Sequence, residues 1–570
     1  MAYEQAFRAD ASLINKLGEG NAYLIWALGL YLEEPDLEAL ASEALTDGPN
    51  DKKIDFIYLD RDTKRIVFAQ GYYGQTTSKS SAPANKASDL NTAGAWLLSG
   101  EVSLVPETLR PIIADCRTAI GEGEIEAIEL LYVHNLPESV TVNRELQTAV
   151  THLRKALGEE TSIRVISREI GSSQVEHLFT TQDSHIEVRD EILCPAKPCL
   201  NESGPKWDAS VFSVPGVWLH NLFQQYGDSL FSANYRGFLG ITKRRRINTG
   251  IRQSAEVKPL DFWVFNNGIT LLTLGTQEVK DGTMLTGMSV INGAQTTGSI
   301  GSVDGTKHDL KNVKVLCRVI KCTDADTISE IVKYNNTQNE IMTWDQYSND
   351  PEQNRIAQEF DQIGHIYSRK RGFRVQPTEI GIEEVAQPLL AFHGKNQDAN
   401  RGKNLIFERK PLYKNAFEGK KATHILFVYT LARAIDERRL ELKKKSNDGL
   451  IITMEEQQLS LLRNLRFKSF FIASMAACLE SIVGRKVDPE TIAFKTEECK
   501  SNTLLALVAA WAPVVEAVLS FVATRIDSAR FGERASDESL VSEVSKDVSA
   551  ILYASRKSLQ LDTFIALVPD

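Results

Sequence analysis

The sequence predicts an α/β protein in three parts: an α/β sandwich over residues 1–185, a central α/β module over 205–400, and a mostly helical region over 401–570. Three observations carry this. Before residue 185, short β-rich apolar runs alternate with segments of helical periodicity. Strand-like runs recur between residues 261 and 322. Beyond about residue 400 the apolar spacing is helical, with segments at 422–445, 455–482, 502–525 and 535–555.

In chain order, AYLIWALGLYL (22–32) is apolar on every side, which suits a helix buried on more than one face. IDFIYLDRDTKRIVFAQGYYG (54–74) reads as two strands joined by a charged turn. A Ser/Ala-rich helix near 85–98, a strand IELLYVH (128–134), a helix NRELQTAVTHLRKAL (143–157) and a strand SIRVIS (162–167) complete the sandwich pattern. The loop-like CPAKPCLNESGPKWD leads into the central module. There DFWVFNNGITLLTL (261–274), MLTGMSVINGAQ (284–295) and VKVLCRVIKC (313–322) read as strands, and TISEIVKYNN (327–336) as a helix.

A formal net charge of −10 over 570 residues argues against a protein that coats nucleic acid by bulk electrostatics. Local basic runs still suit phosphate contacts, namely Lys243–Arg246 and the Arg369, Lys370, Arg371 and Arg374 group. Lys443–Lys445, at a polar helix end, read as solvated surface. The N-terminus shows no export signal, and Pro513 and Glu516 interrupt the most apolar stretch, Leu504–Ala523. The expectation is a cytoplasmic protein with no membrane contact, in which that stretch is a buried helix kinked or started near Pro513. Seven cysteines, an odd number, make no disulfide framework, and Cys194 and Cys199 lack the further ligands of a zinc set.

The hairpin carries the first candidate site. If Asp60–Arg65 turns the chain, Leu59 faces Ile66, and Asp55 lies across from Gln70 with Tyr72 on the same face. Asp55 and Gln70 offer a carboxylate and an amide oxygen, both suited to Mg²⁺, with Asp51, Glu33 or Glu34 as a further acid. Metal-dependent nucleases often place a lysine where Tyr72 stands, and Lys79 or Lys86 are the cations able to reach back. The catalytic set is then Asp55, Gln70, Tyr72 and Lys86. On spacing alone an ordinary sheet edge explains the same residues, and both readings stay open.

Four blocks in the middle of the chain narrow the choice: LHNLFQQYGDSLFSANYRGFLG (219–240), FWVFNNGITLL (262–272), INGAQTT (291–297) and NNTQNEIMTWDQYS (335–348). Together, over roughly residues 205–420, they resemble the AIPR family, the bacterial abortive-infection phage-resistance proteins. The family's Asn-Val-Arg block stands here as Asn234-Tyr235-Arg236. The resemblance implies a bacterial antiviral role. It also implies a restriction-endonuclease-like domain of the PD-(D/E)xK type in front, here degenerate because Tyr72 takes the lysine position.

Physically, Asn-Gly turns at strand ends present carboxamides and backbone N–H groups to a ligand. Asn266, Asn267, Asn292, Gln295, Asn335 and Gln338 are therefore expected to line one pocket near Asn234 and Arg236. Two functions follow. In one, the protein cleaves nucleic acid with Mg²⁺ through Asp55 and Gln70. In the other, the hairpin is inert and the central module senses nucleic acid or a nucleotide, as a homo-oligomer or with an effector protein encoded nearby.

Overall fold

The structure, a computed structural model, describes residues 2–46, 54–75, 81–90, 94, 105–158, 163–180, 186, 188–227, 230–231, 245–303, 305, 307–336, 347, 350–369, 378–559 and 561–569. By contacts the chain forms two compact units. One comprises Met1–Glu176 together with Thr343–Asp570, and the other His177–Met342.

The first unit begins around a four-stranded sheet. Helix α1 (Glu19–Leu32) is buried at every residue from Ala22 to Leu32, as its all-round apolar sequence demands. Helix α2 (Leu37–Ala44) follows, capped by the Asp36 side chain, which accepts from the Ala39 N–H. Strands β1 (Phe56–Asp60) and β2 (Arg65–Tyr72) form the antiparallel hairpin, with Leu59 paired to Ile66 and Phe56 to Ala69. Strands β3 (Ala127–His134) and β4 (Arg164–Ile170) add in parallel, giving the order β1-β2-β3-β4. Helix α3 (Val140–Leu157) connects them, capped by the Ser139 hydroxyl. Ile57, Leu59, Ile66, Phe68, Leu130, Leu146 and Val150 fill the core on one side of this sheet.

The second unit is built on a larger sheet. Its path runs β5 (Val188–Cys194), β10 (Gly282–Asn292), β8 (Ile269–Thr273), β11 (Lys314–Cys322), β7 (Trp207–Pro215) and β6 (Leu200–Ser203), with β9 (Gly275–Val279) paired to β10. All these pairs are antiparallel except β8–β11. Helix α4 (Ala294–Gly301) leaves the end of β10, and α5 (Ala325–Asn336) follows β11. The predicted strand over 261–274 is instead a short helix, Phe262–Phe265, followed by β8. Asn266 and Gly268 turn the chain there, Gly268 at φ +80°.

The rest of the first unit is mostly helical, apart from a short parallel pair of Tyr367–Ser368 with Ile380–Gly381. Its main helices are α6 (Ile382–Phe392), α7 (Ala422–Asn447), α8 (Phe467–Val483), α9 (Leu504–Ala523) and α10 (Leu540–Ser555). Helix α9 starts at Leu504, capped by Thr503, and runs through Pro513 without a break. It is long and apolar enough to cross a membrane, and half of it is buried. Trp511 anchors it on α7, donating its indole N–H to the Thr430 hydroxyl at 3.1 Å.

Buried charges join α7 to the N-terminal segment. Arg433 pairs with Asp36 and, at 2.7 Å, with Glu38. Lys403 pairs with Glu34 at 2.9 Å, and Lys468 with Asp436 at 2.6 Å. Lys443, expected at the solvated surface, is buried instead and donates to the Ser42 and Leu45 carbonyls at 2.8 and 2.6 Å. Its run of lysines looks like surface, but only Lys444 and Lys445 turn outward.

Burial alone would raise the Asp36 carboxyl; Arg433 and the Ala39 N–H overcome it and hold the acid at about 2. Arg433→Ala leaves Asp36 buried without its cation and is expected to cost about 3–5 kcal/mol of unfolding free energy in urea titrations at neutral pH. A carboxyl depressed in the folded state contributes stability above its unfolded value, about 3.9, and loses it as pH falls toward 2. The wild-type acid limb between those values should therefore flatten in Arg433→Ala.

Candidate functional site

The hairpin places Asp55 one step beyond the Phe56–Ala69 pair, its N–H bonded to the Ala69 carbonyl at 3.1 Å. Its Oδ2 accepts from Gln70 Nε2 at 2.6 Å and from the Gly71 N–H at 2.7 Å. Gln70 is only 2% exposed, and its Oε1 is buried with no hydrogen-bond partner among the described residues. Tyr72 lies at the end of β2, and the Lys86 ammonium sits over its ring, 6.0 Å from the centroid. Lys86 belongs to the short helix Ala84–Ser88 that follows the hairpin.

Around this group the strand ends of β3 and β4 supply residues the sequence reading did not single out. Tyr132 is paired with Gln70 across the parallel ladder, and His134 with Tyr72. Burial first, then the neighbouring Tyr72, Glu169 and Asp55, raises the Tyr132 phenol well above its ordinary range. His134 meets the Glu169 carboxylate at 3.1 Å, and that carboxylate also accepts from the Ser139 N–H and from Asn143. Asn135 closes the Gly74 backbone from both sides, at 2.7 and 2.9 Å. Their positions at the ends of two strands separated by a helix gave no spacing signal.

Does this set fit Mg²⁺? The ion needs oxygen ligands, yet Asp55 Oδ2 is occupied by two N–H donors and Gln70 turns its nitrogen to the acid. Glu34 is committed to Lys403, and Glu33 closes α1 at φ 54°. Among the described residues no three His, Cys, Asp or Glu side chains converge as metal ligands. As arranged, the group does not fit a resident metal. Asp51 and Lys79 lie outside the described residues.

In the second unit two Asn-Gly turns stack on one another. Asn266 accepts from the Gly268 N–H at 2.8 Å and donates to the Thr296 hydroxyl at 3.1 Å, tying the first turn to α4. Gly293, at φ +88°, is so close that a Cβ there would meet the Gly268 carbonyl at 2.7 Å. A Cβ at Gly268 would meet the Leu316 carbonyl at 2.3 Å. Only glycine allows both the positive φ and this approach.

Asn292 donates to the Asn335 carbonyl at 3.0 Å, joining β10 to α5. Arg318, exposed on β11, donates to the Asn335 side chain and to the Thr270 hydroxyl. The structure thus joins Asn292 and Asn335 in one hydrogen-bonded group, while Asn266 is bonded separately to Gly268 and Thr296 and meets that group through the packed turns. Asn267 is exposed and Gln295 half-buried beside them. Thr270 and Thr296 lie within the quoted blocks without having been singled out, and Arg318 lies outside them; all three take part in these bonds. Asn234, Arg236, Gln338, Lys243, Arg244, Lys370, Arg371 and Arg374 lie outside the described residues, as do the side chains of Arg245 and Arg246. Arg369 donates to Asn354.

A model of the family described as AIPR protein matches residues 231–521. The match begins in the central blocks and ends within α9. No curated protein and no solved structure matches the chain.

The geometry separates the amides into two classes. Asn266→Ala removes two satisfied bonds and should lower stability by about 1–3 kcal/mol in thermal or urea unfolding. Asn267→Ala should leave unfolding unchanged. Gly293→Ala, forced into a positive φ against a backbone carbonyl, should cost at least as much as Asn266→Ala.

Proposed function

The chain belongs to the AIPR family, and from that premise we propose that it is an anti-phage defence protein that binds nucleic acid or a nucleotide through its central module. Membership of this family suggests the abortive-infection role. The observation that carries the binding reading is Arg318. It is an exposed guanidinium pinned by Asn335 and Thr270 beside two stacked Asn-Gly turns. A cation held in place by such contacts is pre-organised for a phosphate oxygen. Asn267 and Gln295, which are not part of the internal frame, supply hydrogen-bonding groups next to it.

The N-terminal sheet fits descent from a restriction-endonuclease-like domain, with an acid and a Gln on an antiparallel hairpin followed by two parallel strands. In this reading the hairpin no longer cuts, because the Asp55 carboxylate is hydrogen-bonded to Gln70 and Gly71. A second reading, Mg²⁺-dependent cleavage, is favoured by two observations: the orphaned Gln70 Oε1 and the Lys86 ammonium over Tyr72. With the amide turned over, Asp55 and Gln70 would both offer an oxygen to a Mg²⁺ ion.

One preparation tests both. Purified protein is assayed for binding to labelled DNA, RNA and nucleotides by fluorescence anisotropy. The same protein is incubated with plasmid, linear DNA and RNA in Mg²⁺ or Mn²⁺. Binding without cutting is expected, weakened tenfold or more by Arg318→Glu and unaffected by Asp55→Ala. Cutting abolished by Asp55→Ala would replace the first reading with the second. Failure of every ligand to bind would end the binding proposal.

A further inference from the structure

His393 and His424 belong to neither site. His393 caps the C-terminal end of α6, and His424 lies in the first turn of α7. The His393 side chain is fully buried, and His424 is 1% exposed. Their Nε2 atoms are 3.0 Å apart. The rings are nearly parallel, at 9°, with centroids 5.2 Å apart, so the two nitrogens point at each other almost along the line between the rings.

The outer nitrogens decide the protonation. His393 Nδ1 lies 3.1 Å from the Asn415 carbonyl oxygen, and His424 Nδ1 lies 2.5 Å from that of Ile492. A carbonyl only accepts, so both Nδ1 atoms carry hydrogen. In a neutral imidazole the other nitrogen is then a lone pair, and here two lone pairs would meet head-on at 3.0 Å. Exchanging the tautomer of either ring relieves that contact and sets a lone pair against a carbonyl instead. No neutral arrangement satisfies all three contacts. One added proton does.

We propose that His393 and His424 share a single proton between their Nε2 atoms, forming a buried imidazole–imidazolium latch within the helical part of the first unit. The latch ties together the end of α6, the Lys410–Phe417 helix, the first turn of α7 and the segment carrying Asp488–Ile492. The charged groups facing it are Lys420, Glu490 and Asp488. Glu490 Oε2 is 4.0 Å from His393 Nε2 and also pairs with Lys420. With the shared proton, two positive charges face two negative ones.

Phe392 packs against both rings and supplies no charge. Burial, then Lys420, lowers both imidazoles to about 4, with the neighbouring ring adding to this for His393, so the surroundings oppose the proton that the Nε2–Nε2 contact calls for. A metal does not fit between the nitrogens. Two Zn–N bonds of about 2.0 Å, in line, need about 4 Å.

For the latch to hold its proton, the Nε2–H···Nε2 bond must outweigh burial and Lys420 and set the first proton above about 6.5, the value of histidines in an unfolded chain. Its contribution to stability is therefore present below that value and is lost as pH rises through the value of the pair. The test uses the full chain with ¹⁵N-labelled histidine at neutral pH. The expected spectrum contains two protonated Nδ1 signals and two Nε2 signals sharing one far-downfield proton. In His393→Gln the amide N–H donates to His424 without an added proton. The alkaline fall in Tm expected of the wild type should therefore shrink, with the fold retained. A spectrum showing an unprotonated Nδ1, one metal per chain in the purified protein, or the same alkaline profile in wild type and His393→Gln would each overturn the proposal.

Discussion

The charged face of α7 is the constraint on which the first unit depends. Arg433, Asp436, Arg439 and Lys443 recur at helical spacing and lie at 10% exposure or less, apart from the partly accessible Arg433. Charges taken out of water need partners, and these find them in Asp36, Glu38, Ser42 and the carbonyls near Leu45. An apolar seam would accept many neighbours of similar shape. A row of buried cations and an acid accepts only a segment with complementary charges and carbonyls at the right heights. The N-terminal segment is thereby specified as the partner of a helix that lies some four hundred residues further on.

This pairing was not legible in the sequence. Periodicity shows that 422–445 is a helix and that 22–32 is buried. It carries no information on which distant segment covers which face, because complementary charges separated by hundreds of residues leave no local pattern. Lys443 illustrates the loss: in a run of three lysines, one faces the core and nothing in its neighbours says so. The hairpin is the opposite case. A short charged turn fixes the register, the register fixes the opposed residues, and Asp55 falls beside Gln70 by counting alone. The same locality explains the error at 261–265. FWVF has strand composition, yet the Asn-Gly turn behind it fixes the start of the strand at Ile269.

The central frame was half legible. The repeated Asn-Gly pairs marked the turns because both residue types have a local reason to be there. That the turns stack on each other follows from strand order: β8 and β10 are neighbours, and their ends lie side by side. Arg318 lies on a strand outside the Asn-Gly blocks, while Thr270 and Thr296 lie inside them; all three become functional candidates only through that adjacency. The close approach of Gly293 to Gly268 gives these glycines a steric reason that needs no ligand. Much of what looks like a binding motif is therefore the cost-free way to pack two turns, and the ligand argument rests on the groups left over at its surface.

The hairpin poses the same distinction in sharper form. A carboxylate at a strand end must be solvated, ion-paired or hydrogen-bonded, and Asp55 is held by two N–H donors from the adjacent strand. Cation binding at Oδ2 would compete with both. In a hydrolytic site the neighbouring lysine supplies positive charge to the transition state, and a tyrosine at that position supplies only a hydrogen bond. The two features point the same way: the acid is stabilised without a metal, and the strand position that would carry the charge is neutral. Lys86 is the counterweight. It approaches from a separate helix and contacts the face of the Tyr72 ring, where the π-cloud attracts it. A cation resting on that ring stabilises the tyrosine's own position. The same contact thus explains why Tyr72 is accommodated and why Lys86 is near, without requiring that either act on a substrate.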